Sequence, residues 1–468
     1  MSANPSETPQ FKAFRNWVRA NGGYIHPALT FLSGPRGTSV LASKDILPNT
    51  TVLSCPFDLA ITRDLAIGAL KACIWDSNTS RKKGSPQSDT LLYRAEQLSE
   101  RQIVCSYIVL HWVILSDPRS SGSTDSKTSP SAVHFKHAPY INTFPSPDQL
   151  RTPMQFTAAE LELLKGTNLY GATEDRQKEW QTEWRQVRDL LSDVNTIWAE
   201  KFTWDRYVTA ATYLSSRGFP SSLLSASPTT SPSDASYSIL LPILDCLNHA
   251  RRHPVSWLVT SSAPSTPTTT THNLNKSALH ATLLLRSPTL AQTEVFNNYG
   301  PKPNSELLLG YGFIIPSNPE DTIVLKLGGS AHRHEISRDV FTLAGCNGMR
   351  DLWAEVEMMV LTSGEDDESV TSMEGGWEVT LEVCEALKDM VARKIDALPD
   401  LTSFTSSPNP PAVRPDVTEM IIEYVQGQRD ILGGILEYVK RRKQAAIETA
   451  KAEGLDVQEV EEVPVDDG

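Results

Sequence analysis

With 468 residues, of which 40% are hydrophobic and 21% charged, the chain has material for two or three folded domains with substantial cores. A formal net charge of −13 argues against binding driven by neutralisation of nucleic-acid phosphates and favours a basic protein as partner. Six dispersed cysteines without a Cys-x-x-Cys pair indicate neither a zinc knuckle nor a disulfide framework and point to a reducing compartment.

The first residues lack a basic segment followed by an apolar core, and no apolar stretch reaches the roughly 18 residues of a membrane span. No membrane association is expected, and the expected address is the cytoplasm or nucleus. Phe14 to Val18 reads as a short helix leading into extended chain over Tyr24 to Leu32. Gly34-Pro35-Arg36-Gly37, followed by an alternating Thr38 to Ile46, predicts a tight hairpin edge at which Gly37 lets backbone approach closely. From about Leu65 to Ser215 the pattern is helical, interrupted by a polar loop from Ser116 to Ser131. Within it, Thr157-Ala-Ala-Glu160 is a capping box ahead of Leu161, Leu163 and Leu164, and Gly166 ends that helix. Trp180, Trp184, Val187, Leu190, Leu191, Val194 and Trp198 then recur at spacings of three and four, a stripe that reads as core, with Thr173 as the expected cap. An amphipathic stretch from Trp204 ends at Ser216-Arg217-Gly-Phe219.

Ser221 to Ser236 and Thr260 to Thr271 read as mobile surface insertions rich in Ser, Thr and Pro. Between them the apolar run Ile239 to Leu244 opens onto Asp245, Asn248 and His249. Polar groups at an apolar edge need hydrogen-bond partners, so this segment either closes a polar network or faces a ligand. Further on, Tyr299 and Tyr311 flank a turn-rich Gly-Pro-Lys-Pro-Asn. A phenol, with an ordinary pKa near 10, orients a nucleophile without carrying charge. Two helices close the chain, Trp377 to Ala397 and a second over Val417 to Val439 with Gly433-Gly434 as a close-packing point or kink. Glu453 to Gly468 is acidic, poor in core residues and expected to be disordered.

In order and spacing, Ser216-Arg217, then Asp245 with Asn248-His249, then Tyr299 and Tyr311 resemble the carboxy-terminal half of SET-domain methyltransferases. The phrase Tyr299-Gly-Pro-Lys-Pro-Asn-Ser-Glu-Leu307, followed by Tyr311-Gly-Phe313, is similar to the Rubisco large-subunit methyltransferase-like branch. That branch includes fungal ribosomal-protein lysine methyltransferases and the actin-histidine methyltransferase. The resemblance implies an α+β protein, a β-rich SET fold split by a helical insertion and followed by an all-helical lobe. Its expected boundaries are an N-terminal extension over 1–23, a SET domain over 24–315 with the insertion at about 67–215, a substrate-binding lobe over 316–452 and the acidic tail over 453–468.

The resemblance also assigns roles. S-adenosylmethionine is the implied cofactor, bound by Arg36, Gly37, Arg217, Asn248, His249, Tyr299 and Phe313, with Arg217 on the donor's carboxylate and no metal. Tyr299 is the principal catalytic residue, Tyr311 the second aromatic of the acceptor channel, and Asp245 a group that holds the incoming ammonium. Ser216, Asp245 and Tyr311 meet the substrate, a lysine of a basic non-histone protein such as a ribosomal protein or elongation factor. A monomer is expected. Two departures from the family pattern are Thr38-Ser39 after Gly37 and Ala250 after Asn-His. The rival readings are an inactive SET-fold binding module and a histidine acceptor, which has no ammonium to deprotonate and needs Asp245 less. A Rossmann-type enzyme is disfavoured by the lack of Gly-x-Gly-x-x-Gly, and a metallohydrolase on His134 and His137, or on His332 and His334, by the lack of a carboxylate pattern.

Overall fold

The computed structural model describes residues 7–34, 37–77, 86–115, 134–225, 229, 236–261, 279–328, 331–338, 348–363, 376–400 and 413–455. Helix α1 (Pro9–Ala20) begins where Thr8 accepts a hydrogen bond from the Phe11 N–H (3.3 Å), and it buries Phe11, Phe14 and Val18. Strands β1 (Tyr24–Ile25), β2 (Leu29–Gly34), β3 (Gly37–Ala42) and β4 (Thr50–Pro56) follow. β2 and β3 pair antiparallel from Leu29↔Ala42 to Gly34↔Gly37, the hairpin that the glycines predict. Gly37 takes φ 105°, a left-handed conformation that costs glycine little. Arg36 lies outside the described residues.

Next come α2 (Arg63–Ser77), α3 (Pro86–Glu96), α4 (Glu100–Leu115) and a single turn, α5 (Ala138–Ile141). Ile103 to Leu110 of α4 are all buried, because α4 is apolar around its circumference and packs among other helices. The polar stretch Ser116 to Ser131 lies outside the described residues. Then follow α6 (Ala158–Glu162), α7 (Asn168–Val194), α8 (Thr196–Lys201) and α9 (Trp204–Arg217). α7 starts five residues before its expected cap. The Thr173 hydroxyl turns back onto the Leu169 carbonyl (2.7 Å) inside the helix, an alternative open to threonine. Trp180, Val187, Leu190 and Leu191 join the core as the stripe predicts.

Strands β5 (Phe219–Pro220), β6 (Ser238–Ile239), β7 (Val255–Thr260) and β8 (His280–Leu285) follow, and the main sheet is antiparallel in the order β1-β4-β8-β7. Ser221–Leu224, expected to belong to a loose insertion, is a 3-10 turn with Leu223 buried. Most of that insertion, and 262–278, lie outside the described residues. The remaining elements are α10 (Asn304–Tyr311), β9 (Thr322–Leu325), β10 (His334–Ser337), α11 (Met349–Ser363), α12 (Trp377–Ala397) and α13 (Pro415–Ala452). α13 runs through Gly433-Gly434 as one continuous helix. Of the acidic tail only Glu453 to Leu455 is described.

The chain divides into two compact units, and the division is not linear in sequence. One holds residues up to 155, 174–301 and 310–312, and the other 156–173, 302–309 and 313–468. The second therefore takes in a piece of the predicted insertion. Its cause is Glu160, the capping-box residue. One carboxylate oxygen accepts from the Arg414 backbone N–H (2.9 Å) and Nε (2.8 Å), the other from Arg414 Nη2 (2.8 Å) and the Thr157 N–H (2.9 Å). Gly166, at φ 85°, sits so close to Ala397 that a Cβ would lie 1.7 Å from its carbonyl oxygen.

Candidate active site

Leu240 enters the site region through a two-way backbone bridge to Ile61, with N···O distances of 2.9 and 3.1 Å. Ile243 then takes φ 75°, a region that costs a β-branched residue on the order of 1–3 kcal/mol. It persists because Leu240, Leu241, Ile243 and Leu244 are fully buried and leave the backbone no other path. The turn leads into a 3-10 helix, Leu244–Cys246, which carries Asp245 inward.

The Asp245 side chain has no solvent exposure. Its Oδ2 accepts from Arg217 Nη1 (2.9 Å) and from the Tyr140 hydroxyl (2.8 Å). Burial raises the Asp245 pKa, and the Arg217 charge with the two hydrogen bonds only partly offsets it. Asp245 Oδ2 thus holds Arg217 and is itself held by Tyr140.

Arg217 ends α9 with its guanidinium carbon 5.0 Å from the centre of the Phe144 ring. Its side chain is 16% exposed, and among the described residues only Nη1 forms a hydrogen bond. Two guanidinium nitrogens thus remain to meet an external carboxylate. The adjacent Ser216 hydroxyl is turned back onto the Thr212 carbonyl (2.8 Å).

The second motif is threaded beside the first. Asn297 donates to the Asn248 carbonyl (2.7 Å), Ala250 donates to the Asn297 carbonyl (2.9 Å), and His249 and Asn297 form a parallel bridge. The Tyr299 N–H donates to His249 Nδ1 (3.0 Å), which requires that nitrogen to be unprotonated. The His249 ring stacks on Tyr299 at 5.1 Å, and Tyr311 stacks on Tyr299 at 5.2 Å. The Tyr299 hydroxyl donates to the Leu247 carbonyl (2.8 Å), which leaves its oxygen as an acceptor. Burial pushes the Tyr299 phenol pKa up, so it stays protonated at neutral pH. The Asn248 amide donates to the Thr38 carbonyl (3.0 Å) and to Glu294 Oε1 (2.7 Å), tying the Asn-His segment to β3.

A cavity of about 210 Å³ is lined in part by Gly34, Gly37, Thr38 and Phe144. Thr38 is the residue that Asn248 grips and Phe144 the ring beneath Arg217, so both arms of the site reach its walls. The structure thus brings Gly37, Arg217, Asp245, Asn248, His249, Tyr299 and Tyr311 into one unit, whereas Phe313 belongs to the other. Sequence reasoning missed Tyr140 and Phe144 as site residues. Phe144 lies three residues beyond the end of α5, so no helical periodicity marks the pair, and only the contacts with Asp245 and Arg217 reveal them.

The metal alternatives find other uses for their histidines. His137 is buried with its ring nitrogens 2.6 Å from the Tyr107 hydroxyl and 3.1 Å from the Leu59 carbonyl, and His334 Nε2 lies 2.5 Å from Glu355. Among the described residues no three His, Cys, Asp or Glu side chains are placed to hold a metal ion.

This fold is that of solved SET domains. The chain aligns with the solved SET domain of LSMT bound to lysine and AdoHcy at a TM-score of 0.63 and 16% identity, over 97% of this chain and 98% of that one. Rubisco LSMT bound to AdoMet gives the same TM-score, identity and coverage. In sequence the chain is similar to the ribosomal lysine N-methyltransferase set10 of Schizosaccharomyces pombe, at 28% identity over 314 residues, 66% of this chain and 46% of that protein. It is also similar to the protein-lysine N-methyltransferase EFM1 of Saccharomyces cerevisiae, at 23% over 351 residues, 66% of this chain and 51% of that protein. The chain spans about half the length of these curated relatives. No family model matches the sequence.

Proposed function

We propose that the chain is an S-adenosylmethionine-dependent protein-lysine N-methyltransferase acting on a basic non-histone protein, such as a ribosomal protein or translation factor. The observation that carries this reading is Tyr299, a neutral phenol whose proton is committed to the Leu247 carbonyl, set between His249 and Tyr311 in the same unit as a half-committed Arg217. The residues present fit the cofactor. Arg217 keeps donors for its carboxylate, Gly37 and Thr38 give it a cavity edge without bulk, and the Asn248 amide holds that edge to the Asn-His segment. When bound, the cofactor supplies a methyl group on a sulfonium.

The chain's own task is alignment and control of protonation. A lysine side chain has an ordinary pKa near 10.4, so about one in a thousand is a free amine at neutral pH. The stacked tyrosines form an apolar wall that disfavours the ammonium by desolvation. The Tyr299 oxygen accepts an N–H from the amine and turns its lone pair toward the methyl group. Carbonyl and phenol oxygens then face the charge that develops on nitrogen.

The test is transfer of labelled methyl from S-adenosylmethionine into fractionated, hypomethylated fungal extract. Wild type is expected to label a discrete band on lysine. Tyr299→Phe should lower turnover by about a hundredfold, far more than it weakens donor binding by calorimetry. Label recovered on histidine would replace the acceptor, and a donor-binding protein that labels nothing would replace the enzyme with a binding module.

A further inference from the structure

We propose that Tyr140 is a positioning residue for donor binding: its hydroxyl fixes Asp245 so that Arg217 is aimed at the donor's carboxylate. The proposal rests on the reading of Arg217 given under Proposed function.

Tyr140 is fully buried, and its ring stacks on Phe14 at 5.5 Å, which leaves its hydroxyl one direction, toward Asp245 Oδ2 at 2.8 Å. Phe144, four residues on, meets the Tyr140 ring edge-on at 4.7 Å and carries the Arg217 guanidinium at 5.0 Å. One short stretch of chain therefore grips the ion pair at both ends, the carboxylate through a hydroxyl and the guanidinium through an aromatic face. Because Arg217 touches Asp245 through Nη1, the orientation of the carboxylate sets the plane of the guanidinium and hence where its other two nitrogens point.

The surroundings of Asp245 explain why a second donor matters. Facing it are Arg217 from α9, Tyr140 from α5, Cys246 of its own turn, Cys55 from β4 and Tyr299. Burial raises the pKa of both thiols and of the Tyr299 phenol, so all three stay neutral and add no charge. Arg217 and the Tyr140 hydroxyl are left to favour the ionised carboxylate against burial. A protonated Asp245 releases Arg217 from its anchor.

The experiment is calorimetric titration of the full chain with S-adenosylmethionine between pH 5.5 and 9, for wild type, Tyr140→Phe and Tyr207→Phe. Tyr207 is a control of matched chemistry, a buried tyrosine whose hydroxyl donates to Glu183 (2.8 Å). For Tyr140→Phe we expect donor affinity to fall about tenfold at neutral pH, the usual worth of a hydrogen bond to a charged group. We also expect the weakening to grow as pH falls. Asp245 already has a raised pKa, and loss of a donor raises it further, so the ionised form disappears at a higher pH than in wild type. Tyr207→Phe should lower the melting temperature and leave affinity and its pH dependence unchanged. If Tyr140→Phe does not fold, Phe144→Leu removes the platform but keeps the hydroxyl, and it should weaken donor binding with the wild-type pH profile. Wild-type affinity and pH profile in Tyr140→Phe, or wild-type affinity in Phe144→Leu, would overturn the proposal while leaving the donor reading intact. A wild type that binds no S-adenosylmethionine overturns both.

Discussion

Arg414 in one unit and Arg217 in the other each hold a carboxylate with no solvent exposure, yet the two pairs behave oppositely. Glu160 receives four N–H donors, two on each oxygen. Burial alone would raise its pKa, but the Arg414 hydrogen bonds, the Thr157 N–H and the Arg414 charge outweigh burial and bring it down to about 2. Asp245 receives two strong donors, both on one oxygen, and its pKa stays raised. Arg414 commits its backbone N–H, Nε and Nη2 to Glu160, whereas Arg217 commits only Nη1. A saturated pair locks chain segments together, and an unsaturated one keeps capacity for a ligand.

The largest effect that separates the two pairs is expected in the saturated one. Glu160→Ala leaves a partly buried arginine without its partner and should cost about 4 kcal/mol in urea unfolding. Its pH dependence gives the sign. Because the folded pKa is lowered, the contribution of Glu160 is fully present above its unfolded value near 4.5 and is lost as pH falls toward 2, so wild-type stability should drop across that window and the variant's should not. An equal acid loss in both proteins would break the contrast between the pairs. Next in size is Arg217→Lys, which keeps the charge and removes the planar fork. We expect donor affinity to fall about thirtyfold with little change in the unfolding midpoint. A large stability loss with intact donor binding would instead make Arg217 a second Arg414. The smallest effect is Thr157→Ala, which deletes the cap at the Glu160 N–H (3.2 Å) and should cost about 1 kcal/mol without touching donor binding.

Particular residues show how far the sequence could be read. The hairpin at Gly37, the capping box at Thr157 and Glu160, and the apolar stripe from Trp180 were legible because each depends on neighbours within a few positions. The motif carrying Asp245, Asn248 and Tyr299 was legible as an ordered series, and the fold brings all three into one unit. Thr173 was misplaced because a threonine near a helix start reads alike whether it caps or back-bonds to a carbonyl four residues earlier. The partners of Asp245, Arg217 and Tyr140, lie 28 and 105 residues away. Nothing local marks either.

By itself the sequence determined the elements, their caps and the order of the chemical groups, since propensity, periodicity and capping act over one or two turns of chain. Tertiary structure alone decided which carboxylate each arginine holds, that 156–173 belongs with α13, and that the Tyr299 proton rests on the Leu247 carbonyl. Those outcomes depend on burial and on partners distant in sequence. Both the cost of a buried charge and its remedy are set by the surroundings that the completed fold supplies.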